Sequence, residues 1–311
     1  MEQSVARYLS QLDTADLQEP SETVELKKTH LKEKLEKLQS EMAKLEAIER
    51  QVEASPDKQI SLTDSDSRSM ATSGRGSGVV GYNVQTAVDT AHHLIVAHEV
   101  TNKGSDRSQL TSTATAAKEA LGVDRLEAVA DRGYFNGEEI KACDDAGITV
   151  TLPKPMTSGA KSAGRFGKQD FVYLAEENAY RCPAGEKLTY RCTNEENGQT
   201  LHRYWTNACR TCALKGKCTE GNERRITRWE HEAVVEAVQK RLDENPDAML
   251  TRRETVEHPF GTIKMRMGAT HFLSRTLPKV ATEMALCVLT YNFTRVLNIV
   301  GVQNMIEAIA A

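Results

Sequence analysis

The spacing of hydrophobic positions changes several times along the chain, and each change marks a different element. Between Val24 and Glu53, Leu31, Leu35, Leu38, Met42, Leu45, Ile48 and Val52 recur every three or four residues, with Lys and Glu between them. This period predicts a helix of about eight turns with a narrow apolar seam, packed on another helix or on a second copy of itself. Residues 1–23 carry a shorter helical pattern that breaks at the polar, Pro-containing stretch DLQEPSET. From residue 59 the period drops to two. QISLT (59–63), GYNVQTAVD (81–89) and HLIVAHEVT (93–101) alternate apolar and polar residues and are predicted strands. The last two flank the turn Thr90 to His92 and read as a β-hairpin, with Asp89 as a turn residue. His93 and His98 then fall on opposite faces of one strand. SMATSGRGSGVVG (69–81) is rich in Gly and Ser and reads as a flexible loop, in which Arg75 can meet a phosphate.

Helical spacing returns over 105–121, with Ser105 or Asp106 as the cap. Leu126 to Ala130 is a short, mostly apolar run, predicted to be a buried strand, and it ends in Asp131-Arg132-Gly133. An acid at the C-terminal end of such a strand is where α/β proteins present reactive groups. Its structural alternative is a cap for the helix that starts near Asn136. NGEEIKACDDAG is a helix closing on Gly147, and ITVTLPKP gives one more buried strand. Strands and helices in this order predict an α/β fold: a mixed sheet with flanking helices. The pattern divides the chain into a helical, coiled-coil region (1–58), the first part of a core (59–153), a Cys-containing β-rich insertion (154–230) and a C-terminal helical part (231–311).

Composition narrows the functions. The 311 residues are 39% hydrophobic and 27% charged with net charge -4, as in a soluble globular protein without an overall basic field. Any contact with nucleic acid must come from local patches, for which Arg224, Arg225, Arg228, Arg266, Arg275 and Lys279 are available. The N-terminal stretch lacks the apolar run of a signal peptide. Val280 to Val300, interrupted by Glu283 and Arg295, suits a buried helix rather than a membrane span. A cytoplasmic location is expected. Seven cysteines, an odd number, point to thiols or metal ligands rather than a disulfide framework. Cys209, Cys212 and Cys218 of CRTCALKGKC, with Cys182 of the CPAG turn, can supply four thiolates to a tetrahedral Zn2+. Cys192 lies between the two groups, His202 can replace a thiol, and the alternative is reduced thiols packed in the insertion.

The chemistry concentrates in RRETVEHPFGTIK (252–264). On a helix, Arg253 and Glu257 share a face one turn apart, and Lys264 returns near that face two turns on, past Pro259, where the path can kink. A carboxylate that holds a divalent cation between cations that fix phosphate oxygens is what metal-dependent phosphoryl transfer needs. The alternative is a solvated face with ordinary ion pairs.

Taken together, TDSDSR, GYNVQTAVD, VADRGYF and RRETVEHPFGTIK resemble the DDE transposases of bacterial insertion sequences, in the IS-four-like and IS-five-like group. The likeness runs from about Val24 to Gly301. It implies a ribonuclease H-like fold and an acid triad that binds Mg2+ or Mn2+, with Asp131 as second acid and Glu257 as third. The first acid falls on Asp64 or Asp66, of which Asp64 lies closer to the predicted strand. Arg253 and Lys264 match the phosphate-gripping positions, whereas Leu250 stands where the group has tyrosine. The resemblance implies cleavage and transfer of DNA strands, DNA as partner in the form of transposon ends and target, and a homodimer or higher assembly on DNA. Residues 1–23 leave little room for the DNA-reading domain that the group carries before its long helix, so an N-terminal truncation is expected. The alternative is a non-catalytic, DNA-binding or dimerising remnant with a zinc-stabilised insertion.

Overall fold

A computed structural model describes residues 1–16, 22–70, 78–155 and 159–310. The chain divides into two compact units, one formed by Met1–Tyr82 with Arg275–Leu277, the other by Asn83–Ser274 with Pro278–Ala311. Residues 17–21, inside the predicted DLQEPSET break, and 71–77, with Arg75, lie outside the described residues.

In the first unit, α1 (Glu2–Asp16) packs on the long helix α2 (Glu22–Ala54), so the apolar seam predicted over 31–52 has a partner within the chain. The chain then turns instead of entering the strand expected at 59–63. Ser55 Oγ donates to the Gln59 carbonyl, and Asp64 N donates to Ser61 Oγ at 3.2 Å. Serine side chains thus compete with a neighbouring strand for the backbone, and the competition favours a turn. The strand forms later, as β1 (Arg68–Met70), antiparallel to β2 (Val79–Gly81). Both ends of the stretch expected to be a flexible loop are therefore strand. Arg68 is tied back to Asp57 and to the Ser65 carbonyl.

The second unit mixes antiparallel and parallel strand pairs with helices, as an α/β fold does. Strands β3 (Asn83–Val88) and β4 (Ile95–Thr101) form the expected antiparallel hairpin. Asp89 makes its turn, accepting from the backbone N–H of Ala91 and of His92. His93 is not on the strand: it sits in the turn with φ 59°, and its amide donates to the Asp89 carbonyl. Helix α3 (Leu110–Leu121) follows a short 3-10 turn capped by Ser105. Strand β5 (Leu126–Val129) runs parallel to β6 (Ile148–Thr151), joined by α4 (Gly137–Asp145), which Asn136 caps. Leu110, Ile140, Cys143, Ile148, Val150, Leu152 and Val238 form one buried core between these helices and β6. The strands stand as pairs, β3 with β4 and β5 with β6, and not as the single mixed sheet expected.

The insertion starts with a single helical turn, α5 (Gly159–Ser162), and builds its own antiparallel sheet. Its strands are β7 (Val172–Leu174), β8 (Ala179–Arg181), β9 (Lys187–Glu196), β10 (Gln199–Trp205) and β11 (Ile226–Trp229), hydrogen-bonded in the order β11-β10-β9-β8-β7. Asn197 and Gly198 both have positive φ and link β9 to β10 as a two-residue turn, a geometry that Asn-Gly adopts readily. Phe171, Tyr180, Leu188, Tyr204 and Ile226 fill a core separate from the first. Helices α6 (Glu232–Glu244), α7 (Ala248–Gly261), α8 (Leu277–Val300) and α9 (Val302–Ala310) complete the chain. Arg241 of α6 donates two hydrogen bonds to the Val150 carbonyl, and Asn292 of α8 pairs with both backbone groups of Ile95. Among the described residues no single helix is long and apolar enough to cross a membrane.

Ile140 is fully buried in the first core, so Ile140→Ala should lower the free energy of unfolding by about 2–5 kcal/mol in a denaturant titration. Leu289→Ala, at a side chain 64% exposed, should change it by no more than about 0.5 kcal/mol.

Candidate functional site

Asp131 follows β5, where the backbone leaves the strand. Its Oδ1 accepts the Gly133 amide at 2.8 Å, so it caps the 3-10 turn Arg132–Tyr134, while Asn136 caps the next helix. Its Oδ2 accepts from Arg252 Nη2 at 2.9 Å. The acid ending β5 is thus a cap, but of the 3-10 turn and not of the helix expected near Asn136, and the cap uses only one of its oxygens.

A second carboxylate stands beside it. A Cβ placed on Gly133 would lie 3.0 Å from Asp131 Oδ1 and 3.4 Å from Asp106 Oδ2. Glycine at 133 is what lets both acids approach this turn. Asp106 Oδ1 accepts from Asn83 Nδ2 at 2.7 Å and from Gln85 Nε2 at 2.8 Å. Tyr134 donates to Gln85 Oε1, and burial followed by the negative charges of Asp106 and Asp131 pushes its hydroxyl well above the usual tyrosine range. It remains a neutral donor at physiological pH.

These groups open on a cavity of about 430 Å3 that separates β3 from β5. Every residue from Asn83 to Thr90 lines one wall and every residue from Leu126 to Asp131 another. Helix α7 spans it, touching both strands. Arg252, Thr255, Val256 and Phe260 face the cavity, while Pro259 and Ile263 continue the same buried stripe. The positions advance by three and four, the spacing of one helix face.

The predicted motif residues lie on the other side of that helix. Arg253 and Glu257 are exposed, no ion pair joins them, and neither lines the cavity. Residues 262–266 form a π turn, in which each ring encloses one more residue than in an α-helix. Lys264 is therefore displaced from the α-helical phase that its spacing predicted; it is exposed, with Nζ 5.7 Å from the Phe260 ring centroid. His258 Nδ1 lies 2.9 Å from the Tyr291 hydroxyl, which itself donates to the His93 carbonyl at 2.6 Å. A tyrosine has one proton, so His258 Nδ1–H is the donor in the first of these bonds. Burial, followed by the Arg295, His93 and Arg266 charges, keeps His258 below the ordinary histidine pKa.

Asp64 belongs to the other unit, and its hydrogen-bonding capacity is largely used there. Oδ2 accepts from the Tyr82 hydroxyl at 2.7 Å, and Oδ1 from the amides of Asp66 (3.3 Å) and Thr276 (3.2 Å). Asp66 Oδ2 accepts from Leu277 N at 2.8 Å. Burial acts to raise the Asp64 pKa. The Tyr82 hydrogen bond, the two amides and Arg275 outweigh it and hold the carboxyl below its ordinary value.

Carboxylates are hard oxygen donors of the kind that Mg2+ takes. Among the described residues, however, no three His, Cys, Asp or Glu side chains are arranged to hold a metal ion. Asp131 has Arg252 in place of a metal ion, and Asp64 has Tyr82 and two amides. The residues as they stand do not form a three-carboxylate metal site.

In the insertion, Cys182, Cys209, Cys212 and Cys218 line one small cavity, away from which stand Cys192 on β9 and His202, bonded to Thr193. Of the basic residues, Arg228 is buried, pairing with Glu236 and stacking on Tyr173, and belongs to the packing of the insertion. Sequence reasoning missed Asp106, Arg252 and Tyr134. Arg252 was legible as the other arginine of the motif, and helix phase decides between the two.

The arrangement is that of an α/β protein with an acid at a strand end, a cation held against it and a helix carrying further charged residues. Residues 55–293 match the family model of the transposase DDE domain, and the chain belongs to that family. No curated protein and no solved structure matches it.

Because the folded-state pKa of Asp64 is depressed, its ionisation stabilises the folded form above the ordinary value of 3.8. That contribution is lost as pH falls through the lowered value. Tyr82→Phe should move the Asp64 carboxyl upward in a carbon-detected NMR titration. An unchanged titration would show that Tyr82 is not the cause.

Proposed function

We propose that the chain is a DNA transposase of the IS-four-like and IS-five-like group that cleaves DNA strands and joins them to a target. The observation that carries this reading is the position of Asp131: a strand-end acid on a cavity spanned by the helix of the RRETVEHPFGTIK motif, inside the region matched by the family. The proposed catalytic acids are Asp64, Asp131 and Glu257, with Arg253 and Lys264 on DNA phosphates. A ribonuclease H-like core is the fold we assign. The divisions 1–58, 59–153, 154–230 and 231–311 describe the same reading as regions.

A divalent cation, Mg2+ or Mn2+, is the cofactor this reading calls for, and the acids as they stand do not assemble around one. The chain's own contribution is positioning. Arg252 pairs with Asp131, with side chains 25% and 42% exposed. A pair in that setting is worth roughly 0.2–1 kcal/mol, little enough for Arg252 to leave the carboxylate for a phosphate. Tyr134, kept neutral, holds Gln85, and Gln85 and Asn83 hold Asp106 in place beside Asp131. A second reading, a protein that binds DNA or dimerises without cutting, is favoured by the three hydrogen bonds already held by Asp64.

The discriminating assay uses supercoiled plasmid with Mg2+ or Mn2+. Nicking that disappears in Asp131→Ala supports the transposase. Salt-dependent DNA binding without nicking supports the second reading, and neither activity removes both. Arg252→Ala should weaken DNA binding and reduce the slope of log affinity against log salt by about 1.

A further inference from the structure

The insertion gathers four of its five cysteines from two places. Cys182 opens the tight turn between β8 and β9, in which Gly185 N donates to the Cys182 carbonyl at 2.9 Å. Cys209 and Cys212 come from the 3-10 turn after β10, and Cys218 ends the next 3-10 turn, its amide donating to the Lys215 carbonyl. All four line one cavity of about 20 Å3. A water needs roughly 10–15 Å3 of such space, so there is room for a single small ligand. Cys192, on β9, does not line it. All these cysteines are free thiols.

Two further observations separate a ligand site from apolar packing. The Arg224 amide points at Cys209 Sγ at 3.5 Å, so this sulfur already accepts a backbone N–H. The Arg224 side chain also lines the cavity, and its Nε is buried without a hydrogen-bond partner. A buried N–H without an acceptor is costly, and neutral thiols relieve that cost poorly. Four thiolates around a dication carry a net charge of -2, which gives this cationic donor an acceptor.

We propose that Cys182, Cys209, Cys212 and Cys218 form a structural site for one zinc-type divalent cation, with Arg224 as its charge-balancing neighbour. The thiols line the cavity without standing in ligating positions, so closing the shell to Zn–S distances of about 2.3 Å requires side-chain rotation within the two turns. The ion would join the Cys182 turn to the Cys209–Cys218 loop, two segments that otherwise meet at the edge of the insertion's core, where Cys182 and Cys218 pack. Binding releases the thiol protons to solvent and involves no redox step.

The test uses the full chain, purified under reducing conditions, with zinc and cobalt as probes. Elemental analysis should find about one zinc per chain, and Co2+ should give the charge-transfer and tetrahedral d–d bands of a site with four thiolate ligands. Cys212→Ser should lose the bound metal, while Cys192→Ser should keep it. Cobalt titration of the unsubstituted chain needs no variant, so a misfolded Cys212→Ser cannot shield the idea. Absence of metal together with absence of cobalt–thiolate bands overturns it. So does a disulfide among the four, or full metal content in Cys212→Ser. Asp131→Ala should leave metal content unchanged, so a failure of the transposase reading and a failure of this one give different results.

Discussion

Helix α7 has one stripe of side chains with which to cover two separate pairs of strands, and this packing constraint governs the candidate site. Arg252, Thr255, Val256, Pro259, Phe260 and Ile263 occupy the stripe. Arg252, Thr255, Val256 and Phe260 on it line the cavity, while Arg253 and Glu257 off it are exposed. Arg252 therefore meets Asp131, while Arg253 and Glu257, one and five residues further on, do not. Pro259 lies inside the helix on the buried face, and the π turn that follows shifts Lys264 out of the α-helical phase.

The cavity that the helix covers is itself a consequence of the pairing of strands. β3 is bonded to β4 and β5 to β6, and between β3 and β5 there is open space where a continuous sheet would place hydrogen bonds. The 39% exposure of Val129, whose strand lines the cavity, belongs to the same gap. Polar side chains settle at its end. Asn83, Gln85, Asp106 and Tyr134 satisfy one another there, and a connected polar group of this kind fixes side chains more firmly than its separate bonds suggest.

The insertion is built on a different principle. Its sheet carries its own aromatic core, in which Tyr173, Tyr180 and Tyr204 pack ring against ring. Arg228 is buried among them and compensated by Glu236 and the Tyr180 hydroxyl. A segment with this much internal packing can be carried between β6 and α6 without contributing to the core of either.

Local patterns in the sequence determined the elements whose stability is local. The seam from Leu31 to Val52, the hairpin turned by Asp89, the helix starting near Asn136 and the acid ending β5 depend on residues within a few positions of each other, so periodicity and local turn chemistry reveal them. The turn at 59–67 escaped because serine side chains took backbone partners that an alternating pattern assigns to a strand. Which arginine reaches Asp131, that Asp106 stands beside it, and that four distant thiols share one cavity were decided only by tertiary structure. Each depends on helix phase or on the meeting of segments far apart in the chain, and a linear pattern carries no information about either.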